Sequence, residues 1–406
     1  MSKIMPTIEE TFKTCMDDYF KSKSASSPPP TASSPQPTAS SPQPTASSPP
    51  PPVPLEPSMT SPASTLLSEI TGQRVPNTVS LHGSGLHPCE PSIDKSLNQT
   101  TESLLYCSLS PSTVAAYKSA FQAYKLFILQ TYGQETSPLP PCLENLAYFI
   151  ANCYQTNLAA STTRTIISAL SFIFQLSSSQ DVTQHFIIKK MLQGFLKAKP
   201  INDPRLPITP DILLKLVQAL PYTADSYFSR ILLRAMFILA YCAFLRVGEI
   251  TKTNSKTHHY LLAKHISKGN KTNGIGFLEV AIPHFKHSKS NSTTIHLCQN
   301  TINPLLCPYR AITDFLNIRK HDSPEAPLFS FMDNTPVPRQ YFTSQLRLAL
   351  KFSNLDLSKY QAHSFKIGAA TTAAATGYTE IQIQNMGRWK SSAFKKYIRI
   401  PSITPY

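Results

Sequence analysis

ILLRAMFILAYCAFLRVGEI (231–250) is the stretch that decides the architecture. Its apolar side chains run almost all the way round a helix rather than along one face, so a helix from Arg230 to Leu245 belongs at the centre of a core. The run is too short to cross a bilayer and contains Arg234, which excludes a membrane span. It ends on Arg246, with Glu249 three residues later. Taken alone, a charge there caps a helix or marks the surface.

Upstream, KPINDPRLPIT (199–209) holds three prolines and reads as a domain boundary. Before it the apolar residues recur at helical spacing. Ser112 or Thr113 can cap a helix through Val114, Tyr117, Phe121 and Tyr124, and Pro140-Pro141 open a second. Ser161-Thr162-Thr163 precede a third, and Phe186 to Phe195 form a fourth, with Lys189, Lys190, Lys197 and Lys199 as a basic face. These make a small all-helical domain over 103–200. Residues 25–52 repeat ASSPPPT and ASSPQPT, which cannot bury a core and carry no Arg or Lys anchor for a proline-ligand role. With a short amphipathic helix over Ile8–Phe20 and a polar, turn-rich stretch over 63–102, they predict a disordered tail over 1–102.

Downstream, Pro210 opens a helix. FLEVAI (277–282) and TTIHL (293–297) read as strands around an HSKSNS turn. Helices resume over Pro308–Asn317, Arg339–Phe352 and His363–Ala375. The second domain, 207–406, is mainly helical with one small sheet.

Charge is divided along the chain. Residues 1–100 carry 6 basic and 8 acidic side chains, whereas 101–406 carry 32 and 15, a net of +17. A body that basic suits a polyanionic partner such as nucleic acid, although solubility alone explains it as well. Eight cysteines without a CxxC pair, and an N-terminus MSKIMPTIEETFK without an apolar stretch, favour a reduced intracellular compartment over a disulfide-stapled secreted protein. His284, His287, Cys298 and Cys307 have only a faint metal-site spacing, and the second cysteine reads as a helix start, so no metal is assigned.

Four pieces hold candidate chemistry: LRVGEI (245–250), the HSKS turn (287–290), HSFKIGAAT (363–371) and MGRWKSSAFKKYIRIP (386–401). His363 and Lys366, three apart, share one side of a helix start that favours an anion. Trp389, the sole tryptophan, suits packing equally well, and Tyr397 lies in a basic stretch, KKYIR.

In this order they resemble the tyrosine recombinase (phage integrase) superfamily, particularly the recombinases of eukaryotic mobile elements of the DIRS, Ngaro and Crypton type. The likeness spans about 103–401 and includes SPSTVAAYKSAFQAYKLF, STTRTIISALSFIF and IKKMLQGFLK of the helical domain. It implies a helical (SAM-like) core-binding domain and an α+β catalytic domain that clamp duplex DNA as a C. Strands would be cut and rejoined for integration or excision of a mobile element, with self-association into a tetramer, in the nucleus, without cofactor, metal, membrane or small-molecule substrate. Tyr397 would attack the phosphodiester to form a 3′-phosphotyrosyl bond and release a 5′-hydroxyl. Arg246 would clamp the non-bridging oxygens, His363 would handle the proton, and Trp389 would donate its indole N–H. Lys289, preferred over Lys286, would protonate the departing 5′-oxygen. Glu249 would buttress Arg246. Lys366 stands where the family carries a second arginine. A lysine keeps the charge but loses the fork, so the site is either a weakened enzyme or a DNA-binding protein. A type IB topoisomerase shares the chemistry, but the helical domain at 103–200 speaks against it.

Overall fold

The computed structural model describes residues 62–72, 95–133, 136–200, 203–253, 259–272, 274–283 and 292–399. The helix expected over Ile8–Phe20 and the proline repeats of 25–52 lie outside them. The described residues divide between Asp203 and Pro204 into two compact units.

The N-terminal unit is helical: α1 (Pro62–Thr71), α2 (Lys95–Ser108), α3 (Pro111–Tyr132), α4 (Leu143–Gln155), α5 (Ala160–Leu176) and α6 (Phe186–Ala198). Ser110, rather than Ser112 or Thr113, caps α3. Its hydroxyl accepts the Thr113 N–H at 3.2 Å, and Pro111 fills the first turn, where a missing N–H matters least. Tyr124 centres the core, edge-on to Phe149 and Phe174 at 5.3 and 6.2 Å. Lys199, one of the four lysines of the expected basic face, is half-buried, and its ammonium donates to the Tyr154 carbonyl and to Asn157, both at 2.8 Å.

The tail expected over 1–102 requires correction, because folded structure begins far upstream of Ser103. Leu66, Leu67 and Ile70 of α1 are buried in the same core as Phe121 and Tyr124. Three apolar residues at helical spacing suffice to dock a short helix whose other positions are polar. Leu66→Ala is therefore expected to destabilise the full chain by about 2–5 kcal/mol. A residue in a loose tail would change stability by less than about 0.5 kcal/mol. Thermal unfolding followed by circular dichroism separates the two.

The C-terminal unit is built around α8 (Tyr227–Cys242), which packs against α7 (Pro210–Thr223), α10 (Pro308–Ile318) and α12 (Ser364–Ala375). Arg234, the charge within its apolar run, is satisfied by Asp314 at 2.8 Å and by the Pro304 and Leu305 carbonyls. The unit also takes in the end of the proline-rich linker: Ile208 is fully buried, and its N–H donates to the Ser364 carbonyl at 3.1 Å.

Three antiparallel strands lie in the order β1 (Ile266–Asn270), β2 (Gly276–Ile282) and β3 (Thr293–Cys298). On the buried face of β2 and β3, Leu278 opposes Leu297 and Val280 opposes Ile295. β1, ISKGN, has no apolar alternation and was not expected; its pairing with β2 makes it a strand. The remaining elements are α9 (Val247–Ile250), α11 (Arg339–Phe352), α13 (Glu380–Met386) and 3₁₀ turns at Ala263–His265, Pro304–Leu306 and Ser392–Tyr397. Among the described residues no helix is long and apolar enough to cross a membrane.

Candidate active site

α8 stops at Cys242, short of the expected Leu245, because the next turn is bent. Phe244 has φ +51°, a left-handed conformation that is rare for a bulky residue. Its carbonyl accepts bonds from Lys366 Nζ at 2.9 Å and Arg388 Nη2 at 3.2 Å. The bend delivers Arg246 to the start of α9. There Glu249 holds it twice, accepting the Arg246 backbone N–H at 2.8 Å on Oε2 and Nη1 at 3.3 Å on Oε1. The Glu249 side chain is 7% exposed and that of Arg246 is 24%, so the acid lies inside and the guanidinium faces outward. Glu249 thus supports Arg246, as the resemblance implies.

The other half of the site comes from α12 and the segment after α13. His363 immediately precedes α12, and its ring centre lies 5.1 Å from that of Tyr397. Trp389 lies 4.8 Å from Tyr397 on another side. The indole folds back over Gly387, where a Cβ would fall 1.5 Å from the ring, so only glycine permits this placement. Thr371 of α12 fixes the nucleophile candidate through its backbone: its hydroxyl donates to the Tyr397 carbonyl at 3.2 Å and accepts the Arg399 N–H at 3.0 Å. Trp389 Nε1 is buried with no hydrogen-bond partner among the described residues, a donor still available to an incoming acceptor.

Thus Arg246, His363, Trp389 and Tyr397 all belong to the C-terminal unit, with the His363 and Trp389 rings each beside that of Tyr397. Lys286 and Lys289 lie in 284–291, outside the described residues, as do His284 and His287.

Lys366 is the correction. It does not share an open anion-binding face with His363. Its side chain is fully buried, donating to the Phe244 and Gly387 carbonyls at 2.9 Å each, and its ammonium lies 4.7 Å from the Trp389 ring centre. His363 stands at the helix boundary, whereas Lys366 is one turn inside a helix packed into the core. Here Lys366 ties the α8 bend to the end of α13. Burial above all, then the nearby Arg388 and Arg246, pull its pKa well below that of a free lysine, with Glu249 opposing. Between the depressed value and about 10.4 the unfolded chain holds more protons, so stability rises with pH across that window. The midpoint of thermal unfolding is expected to climb from about pH 8 toward pH 10, and the climb to flatten in Lys366→Met. Above about pH 10 the buried Tyr124, whose pKa is raised by desolvation, reverses the trend.

Arg388 is the residue that sequence reasoning missed. It follows α13 with φ +58°, where glycine would be the unstrained choice, and its side chain is only 2% exposed. Its guanidinium donates to the Ala243 and Phe244 carbonyls at 3.2 Å each and to Glu249 Oε2 at 2.9 Å. An arginine next to a glycine at a helix end reads as surface. The one available signal was Glu249, a buried acid that needed a second cation.

No protein-family model and no curated protein sequence matches the chain. Solved structures do. A lambda integrase dimer bound to a COC′ core site superposes with a TM-score of 0.52 at 15% identity, covering 75% of this chain and 76% of that one. The XerH site-specific recombinase bound to palindromic difH substrate gives 0.51 at 15% identity, with 76% and 82% covered. The Tn1549 transposon integrase with a circular intermediate DNA gives 0.53 at 12% identity, with 75% and 94% covered. Over three quarters of its length, the chain has the fold of the tyrosine recombinases.

Proposed function

We propose that the chain binds duplex DNA and cuts and rejoins its strands through a 3′-phosphotyrosyl bond to Tyr397, serving integration or excision of a mobile element. The observation that carries this reading is the gathering of Tyr397, His363 and Trp389 in one unit with the outward-facing Arg246. The tyrosine oxygen would attack phosphorus as the bond to the 5′-oxygen breaks. His363 would handle the tyrosine proton, and Lys289 would supply one to the departing oxygen. Arg246 and the unpartnered Trp389 N–H would meet the charge that builds on the non-bridging oxygens.

Two further features support a DNA partner. The net charge over 101–406 is +17. Directly after α9, Lys252 joins Arg339 and Arg347 in lining a groove with Gln340, Thr343 and Ser344, and backbone bonds between Lys252, Val337 and Arg339 hold the two segments together. Self-association on paired sites belongs to the same proposal.

The test is covalent trapping. The full chain is incubated with nicked duplexes drawn from the DNA flanking its coding sequence, among those it demonstrably binds, and a protein–DNA adduct is sought in denaturant. An adduct supports the proposal; its absence on bound duplex overturns it. The burial of Lys366, which leaves Arg246 partly exposed without it, favours one second reading: a DNA-binding protein that no longer cleaves.

A further inference from the structure

Granted the proposed strand cleavage, on which its kinetic readout rests, we infer that Arg388 is a positioning residue that sets how Arg246 presents its guanidinium to the phosphate. Arg388 is too buried to touch DNA. It acts on both supports of Arg246 instead. The first is the α8 bend: Arg388 holds the Ala243 and Phe244 carbonyls, the last two before Leu245 and Arg246. The second is Glu249.

A carboxylate facing an arginine prefers the two-pronged fork, which would occupy both of its oxygens and two guanidinium nitrogens. Here Oε2 already accepts Arg388 Nη2 at 2.9 Å and the Arg246 backbone N–H at 2.8 Å. Only Oε1 is left for the Arg246 side chain, at 3.3 Å through one nitrogen. By occupying Glu249, Arg388 keeps the Arg246 fork from closing on its own buttress and leaves its other N–H groups for a ligand. The left-handed backbone at Arg388 fits this account, since a glycine there would relieve the conformation but supply no guanidinium.

The experiment compares Arg388→Met and Arg388→Lys, alone and combined with Glu249→Gln, in the full chain on the same nicked duplex. Adduct formation is expected to slow about 10–100-fold in Arg388→Met. Duplex affinity should stay within about threefold, because the substituted group lies away from the DNA. In the Glu249→Gln background the same substitution should add less than about fivefold, since of its two routes to Arg246 only the hold on the α8 bend remains. A full loss in that background, or a loss no larger than the loss of folded protein, overturns the inference. Arg388→Lys keeps the charge and covers the case in which the methionine variant does not fold. The crystal structure of the lysine variant supplies a readout independent of cleavage: Glu249 should swing to a two-pronged grip on Arg246. If the parent forms no adduct on duplex it binds, the cleavage proposal falls. Arg246 and Glu249 unmoved in that crystal would then overturn the inference separately.

Discussion

Tyr397→Phe is expected to form no denaturant-stable adduct with nicked duplex, a loss of at least about 10⁴-fold in cleavage. The substitution removes one oxygen, and among the described residues the rings beside Tyr397 belong to His363 and Trp389, neither of which carries a hydroxyl. Its phenyl ring keeps the packing, and the backbone tether through Thr371 does not involve the hydroxyl. Fold and DNA affinity should therefore survive, affinity within about fivefold for one lost hydrogen bond. Gel-resolved adduct and equilibrium binding, measured on the same duplex, form the pair of readouts. An adduct that persists in Tyr397→Phe would mean another residue is the nucleophile.

Gly368→Ala should be the most damaging small substitution in the C-terminal unit. A Cβ at Gly368 would lie 1.9 Å from the Ile208 carbonyl oxygen and 2.7 Å from its carbon. The obstacle is backbone, and it cannot step aside: the Ile208 N–H is bonded to Ser364, and the Leu206 N–H to the Lys359 carbonyl at 2.7 Å. Nor can α12 retreat, because Phe365, Lys366, Ile367, Ala369 and Ala370 are buried around it. In an open helix this change would stabilise by about 0.5–1 kcal/mol. Here the overpacking is expected to cost about 3 kcal/mol or more. Displacing α12 also shifts His363 at its head and Thr371 along it, so adduct formation should fall with stability. A melting temperature equal to or above the parent's would show that the linker is not locked against α12.

Much of this was legible in the sequence where one interaction dominates. The apolar run before LRVGE marked the central helix, Pro210 marked the start of α7, and the bounds of α11 needed only periodicity. The resemblance of LRVGE to a family motif also pointed to Glu249 as the partner of Arg246. What escaped depends on contacts distant along the chain. β1 is polar and is a strand only because β2 pairs with it. α1 shows three apolar residues in a polar stretch, and their meaning comes from Phe121 and Tyr124 beyond them. Lys366 and Arg388 are charges that sequence logic sends to the surface. Each is buried because carbonyls freed by the left-handed turn at Phe244 need donors, and nothing local announces that turn.

The single tryptophan of the chain is Trp389, lodged between the Lys366 ammonium and the Tyr397 ring. Its emission is therefore an optical probe already built into the candidate site, with no second indole to dilute it. An amine close to the ring and a phenol beside it should make its wavelength and lifetime respond to any rearrangement there. A stopped-flow trace of that emission on mixing with duplex would time the arrival of a phosphate at the site separately from the slower appearance of a covalent bond.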